Sequence, residues 1–347
     1  MKKNREEQFY KFLISFLSLD LASILIASSI LIGGTHTKLK EAQEEYPKDL
    51  SRSSQFDELT EEEQQSLKRL DSELTMLLNQ EEYALENVSS LEDYYLLTAI
   101  LENENLSTYE KQYLYRSYEI IKENPYLDKK DVYARLKTLD VTRKEEKGKT
   151  EKKKIWLDAS VVINASYRIN LNHLTFYDYP NLTSSTITHE MLHVVYPCSK
   201  LPRAFGEGFA ELLNTEYFDD LVQENHQNSY LQEIAYVKIL CEILGSEKVL
   251  QIASFDDQNL LEEELLSKFE NEASVKRWMH VDKMDDDTLF DYYEDLVFLT
   301  EKNQYSKQKQ ETLVSLYYQL LFGENNSTTY KYFNQEDTST KQKVKEF

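Results

Sequence analysis

The chain has 347 residues, of which 41% are hydrophobic, and its 40 basic and 62 acidic side chains leave a net charge of −22. With few Gly and Pro, that apolar content suffices for a sizeable folded core, and the acidic field argues against partners such as nucleic acid or an anionic lipid surface. Cys198 and Cys241 are too few for a disulfide scaffold and match no zinc-finger spacing. A single disulfide and two buried thiols both fit them.

In chain order, Phe12 to Gly34 is almost wholly apolar and follows Lys2, Lys3, Arg5 and Lys11. Such a run can cross a hydrocarbon core of about 30 Å, and the preceding basic residues favour a cytosolic N-terminus. The expectation is a single-pass membrane anchor over 1–34, with the catalytic part outside the cytoplasm. Asp20, within the run, is costly there unless neutral or paired. A signal peptide with a short core at Leu21 to Ile32, cleaved to release a secreted protein, is the alternative.

Residues 35–58 are polar and read as a stalk. A helical lobe over 59–142 follows, marked by the capping-box pairs Thr60/Glu63, Ser89/Glu92 and Ser107/Glu110 and by Leu and Tyr at helical spacing. The charged stretch Arg143 to Lys154 reads as a solvated linker between two lobes. Ile155 to Asn164 and Tyr167 to Tyr177 read as β-strands from their alternation and β-branched content.

The chemistry-bearing segment comes next. Thr183, Ser184 and Ser185 offer N-cap oxygens, Ile187, Met191, Val194 and Val195 supply an apolar face, and Pro197 ends the run, which predicts a helix. On it lies His189-Glu190-Met191-Leu192-His193. Positions i and i+4 share a helix face, so both imidazoles can reach one ion. A hydrolytic zinc takes three protein ligands and keeps a position for water; the candidate third ligand is Glu207. Glu190 is then free to act as general base. Pro202 opens a second helical stretch through about Phe218, on which Glu207 and Glu211 share a face. A carboxylate one turn after the ligand suits the free ring N–H of a liganding histidine. Two of the chain's seven glycines, Gly206 and Gly208, flank Glu207. Each costs about 1 kcal/mol in a helix relative to alanine. Close approach of another backbone, or of a substrate, accounts for their presence.

His189 to His193 followed by Leu201-Pro202-Arg203-Ala204-Phe205-Gly206-Glu207-Gly208-Phe209-Ala210-Glu211 resembles the gluzincins, zinc peptidases whose third ligand is a glutamate on an E-G-x-A-E type helix. The resemblance covers roughly residues 155–255. It implies Zn²⁺ held by His189, His193 and Glu207, a base at Glu190, an orienting role for Glu211, and a strand beside the active-site helix against which an extended substrate pairs. It also implies a tyrosine or histidine that stabilises the oxyanion, with Tyr230 the first choice, Tyr236 the second and His226 the third.

The fold expected is therefore α+β and mostly helical, with a zincin-like catalytic domain and its helical C-terminal lobe over 155–322 and a polar tail over 323–347. The function expected is a zinc metallopeptidase acting on a peptide or protein. The alternative is a catalytically inactive cell-surface scaffold of the same fold, against which the retained Glu190 argues.

Overall fold

The computed structural model describes residues 32–46, 65, 91–148, 150–152, 160–162, 165–217, 230–284 and 288–323. A helix over 32–45 (α1) precedes α2 (Leu91–Leu101), α3 (Thr108–Glu123) and α4 (Lys129–Thr138). Short strands follow: β1 (Asp140–Arg143), β2 (Thr150–Lys152), β3 (Ser160–Val162), β4 (Ala165–Arg168) and β5 (His173–Phe176). Then come α5 (Ser184–Val195), α6 (Arg203–Tyr217), α7 (Leu231–Leu244), α8 (Ser246–Phe255), α9 (Gln258–Phe269), α10 (Glu272–Met279), α11 (Leu289–Lys302) and α12 (Lys307–Phe322). The fold is α+β and mostly helical.

Local chemistry sets the helix starts. Side chains of Asp128, Thr183, Asp257, Asn271 and Ser306 accept from backbone N–H groups two or three residues further on, at the second and third positions of the helices they precede. Each satisfies donors that the first turn leaves without an intrahelical partner.

The three-stranded sheet has the order β1-β5-β4, with β1 parallel and β4 antiparallel to the central strand. Leu174 and Phe176 of β5 are fully buried, and α5 packs against β4. The continuous strand expected over Tyr167 to Tyr177 is instead a hairpin. It folds back through a 3-10 turn at Ile169–Leu171 and through Asn172, whose φ of 43° lies in the left-handed region that asparagine tolerates. The Asn172 amide donates to the carbonyl of Arg135, and the Tyr167 hydroxyl donates to Asn172 Oδ1 at 2.7 Å. Of the strand expected at Ile155 to Asn164, the described part is β3, paired antiparallel with β2.

Two further expectations differ. The charged stretch 143–154 contains the end of β1, where Arg143 is held by the fully buried carboxylate of Glu110, and all of β2, which pairs with β3. Residues 35–45, expected in a polar stalk, lie in α1, which docks through buried Ala42 and the adjoining Tyr46. Among the described residues, buried side chains from Tyr46 to Leu320 form one continuous core. Asn124 explains part of this continuity, since its amide donates both to Tyr196 Oη at 3.0 Å and to Ser254 Oγ at 2.9 Å.

The apolar run 12–34 lies outside the described residues except for 32–34. Among the described residues, no helix is long and apolar enough to cross a membrane. Residues 47–58 of the stalk, the capping box at Thr60/Glu63 and Ser89 of the Ser89/Glu92 box also lie outside them, as does nearly all of the tail expected over 323–347. Cys198 and Cys241 are not joined in a disulfide.

Gly208 controls how α6 meets α7. A Cβ at this position would stand 2.1 Å from the carbonyl oxygen of Glu233 and 2.4 Å from its carbon, so the contact is with backbone that cannot rotate away. Gly208→Ala is therefore expected to destabilise the protein by about 1–3 kcal/mol, as overpacking does, despite alanine's better helix propensity. Chemical denaturation checks this; an unchanged or raised midpoint would show that the α6–α7 approach is not limited by Gly208.

Candidate metal centre

Helix α5 begins at the Thr183 cap and ends before Pro197, which places His189 and His193 on successive turns of a helix whose residues are mostly buried. Helix α6 crosses it and carries Glu207, Glu211 and Asn214 on the facing side. The N-terminus of α6 is fixed from a distance: Asp282 accepts from the backbone N–H of Arg203 at 2.8 Å and of Ala204 at 2.9 Å.

Four side chains converge where the helices meet. His193 Nε2 lies 3.2 Å from His189 Nε2; Glu207 Oε2 lies 3.2 Å from the first histidine's Nε2 and 3.5 Å from the second's. On the far side of the His189 ring, Nδ1 stands 2.7 Å from Glu211 Oε2. Asn214 then holds Glu211, its amide donating to Oε2 at 3.3 Å and to Ser185 Oγ at 2.8 Å. His189 is nearly inaccessible, whereas the side chains of Glu207 and His193 keep 22% and 13% exposure, so the cluster opens toward solvent on their side.

The donor set fits a metal. One donor atom each from His189, His193 and Glu207 can be chosen so that all lie within 4.8 Å of one another. Ligand bonds of about 2.0–2.1 Å arranged tetrahedrally place neighbouring donors about 3.3–3.4 Å apart, close to the observed separations. Glu211 holds the ring through Nδ1 and leaves Nε2 facing the cluster, the carboxylate–histidine arrangement that would orient a metal ligand.

Glu190 is buried beside this cluster. Burial raises its pKa above the ordinary carboxylate range, while the two histidines and the backbone N–H of Tyr167 on β4 act in the other direction. The group is thus moved toward neutrality, as suits a general base. Tyr230, at the N-terminal end of α7, stacks its ring on His189 with centroids 4.9 Å apart and planes 11° from parallel. Burial and the surrounding glutamates raise its pKa, keeping the hydroxyl protonated and able to donate. Tyr236 does not share this position: it is fully buried and its hydroxyl donates to the Trp278 carbonyl at 2.7 Å. His226 lies outside the described residues.

Three participants were not foreseen from the sequence. Asn214 follows Glu207 by seven residues and Glu211 by three, a helical spacing that could have revealed it. Arg203 approaches Glu207 Oε1 at 3.7 Å from one turn earlier, also at readable spacing. The Tyr167 N–H has no sequence signal, being a backbone group on a strand placed by tertiary pairing.

Comparison with family models, curated proteins and solved structures finds no match to this chain. The functional reading therefore rests on the residues themselves.

Without metal, burial tends to lower the pKa of His189, but the hydrogen bonds to Glu207 and Glu211 outweigh it and hold the group at about 10. This folded-state value lies above the unfolded one of about 6.5. The ion pairs of His189 thus stabilise the metal-free protein fully below the lower value, and their contribution is lost as pH rises through the higher one. At pH 7 a metal must displace the Nε2 proton, so binding one equivalent of zinc should release about one proton. Calorimetry in two buffers of different ionisation enthalpy measures this; the absence of proton release would contradict the protonated His189 described.

Proposed function

We propose that this protein is a zinc-dependent metallopeptidase of gluzincin type with a zincin-like catalytic centre. The observation that carries the reading is the triangle of His189 Nε2, His193 Nε2 and Glu207 Oε2, with sides of 3.2, 3.2 and 3.5 Å, completed by Glu211 on the back of the first histidine. Two imidazoles and one carboxylate with a solvent-facing side are the donors of a hydrolytic zinc centre, whereas a structural zinc closes all four positions with Cys or His.

Bound there, zinc supplies a Lewis acid that polarises the scissile carbonyl and acidifies water. Glu190 takes the proton from the attacking water and passes it to the leaving amine. Its buried carboxylate can do both because its pKa is raised toward the working range. Tyr230, kept protonated by burial, donates its hydroxyl to the oxyanion that forms on attack. His189 stays in one orientation because Glu211 holds Nδ1 and Asn214 holds Glu211.

Strand β4 supports the peptide part of the proposal. Among the described residues it is an edge of the three-stranded sheet, packs on α5 and directs the Tyr167 N–H at Glu190. An extended substrate can add to such an edge through main-chain hydrogen bonds. The apolar run at 12–34 extends the proposal to a single-pass membrane protein whose catalytic part faces outside the cytoplasm.

Glu190→Gln keeps the shape and the hydrogen-bonding capacity of the side chain but cannot accept the proton. It should retain one zinc and lose hydrolysis of a peptide library by about 10²–10⁴-fold, the range general bases contribute. An active Glu190→Gln protein would remove Glu190 from the mechanism.

A further inference from the structure

We propose that Arg135 is a positioning residue for α5, and that α1 holds it in place through Asp131. The metal readout of this inference rests on the zinc proposal above; its backbone readout does not.

The last turn of α5 carries His193, and the final carbonyls of a helix have no donor from a following turn. The Tyr196 N–H serves Leu192 O at 2.7 Å. Two of the remaining carbonyls are served from another helix. Arg135 Nε donates to Val194 O at 2.8 Å, and Nη2 of the same guanidinium donates to Val195 O at 3.1 Å. The planar fork fixes two successive carbonyls at once, and its charge complements the negative end of the helix. The side chain is only 11% exposed, so water does not readily replace it.

Arg135 is itself held from behind. Its Nη1 donates to Asp131 Oδ2 at 2.9 Å, and the other oxygen of that carboxylate accepts from Gln43 Nε2 on α1. Two more contacts fasten α1 to α4. Glu45 pairs with Lys137, and Tyr46 packs on Tyr133 with centroids 5.2 Å apart. A continuous series of contacts therefore runs from α1 through Gln43, Asp131 and Arg135 to the backbone of the turn that presents His193. Metal ligands tolerate distance errors of only about 0.2 Å, so a looser last turn weakens the site even when the fold persists.

The test uses the full chain as wild type, Arg135→Ala, Arg135→Lys and Gln43→Ala. Hydrogen exchange across 189–196 is followed in metal-free protein, and zinc loss to a chelator is followed in zinc-loaded protein. For Arg135→Ala, amide exchange in the last turn of α5 and zinc loss should both be about tenfold faster, the scale of one charge-assisted hydrogen bond. Arg135→Lys should recover part of both. Gln43→Ala should shift both the same way by less, and decides together with Arg135→Lys if Arg135→Ala does not fold. Wild-type exchange at 193–196 in a folded Arg135→Ala or Arg135→Lys protein would overturn the role of Arg135. Gln43→Ala that speeds exchange in α1 but leaves α5 unchanged would overturn the link to α1. A wild type that retains no zinc would contradict the metallopeptidase reading, while metal-free exchange would still decide the positioning role.

Discussion

The contact between His189 Nδ1 and Glu211 Oε2, at 2.7 Å between two nearly inaccessible side chains, is the constraint on which the centre depends. It joins α5 to α6 at the level of the donor cluster. Breaking such a buried pair by removing one partner strands a polar group away from water, a cost of about 3–5 kcal/mol. Helix crossings that separate these side chains are therefore disfavoured. Asn214 extends the constraint by tying Glu211 to Ser185 in the first turn of α5, so the start of α5 is registered against the last turns of α6.

Around that pair, each neighbouring element contributes one fixed group. Strand β4 offers the Tyr167 N–H to Glu190, and α7 brings Tyr230 onto the face of His189. The second approach is close only because Gly208 has no side chain to meet the Glu233 carbonyl. Asp282 caps α6 from the 3-10 turn after α10, which links the position of Glu207 to the C-terminal helices. The centre is held by the whole helical body rather than by the two motif helices alone.

What could be read in the sequence follows the range of the interactions involved. The two motif helices were legible because caps, apolar spacing and i,i+4 pairs act within one or two turns. Glu207 and Glu211 could be placed on one face, and Gly208 pointed to a close backbone approach, for the same reason. The hairpin at Asn172 was not legible: its flanks read as one β-rich run, and the turn depends on an amide reaching Arg135 across 37 residues. Arg143 looked like part of a solvated charge run because its partner, Glu110, lies 33 residues earlier. Docking of α1 was hidden because its polar composition suits solvent, and the adjoining Tyr46 packs on tyrosines distant in sequence, Tyr95 and Tyr133. Spacing did not separate Tyr230 from Tyr236, because tertiary packing alone sets the Tyr230 ring against His189 and turns the Tyr236 hydroxyl to the Trp278 carbonyl.

The central claim is that His189, His193 and Glu207 hold one catalytic zinc. Elemental analysis of the purified full chain, alongside His193→Ala and Glu207→Ala, tests it most directly. The account predicts one equivalent in the wild type and much weaker retention in both variants. A folded wild type that takes up no zinc, or variants that keep a full equivalent, would contradict it.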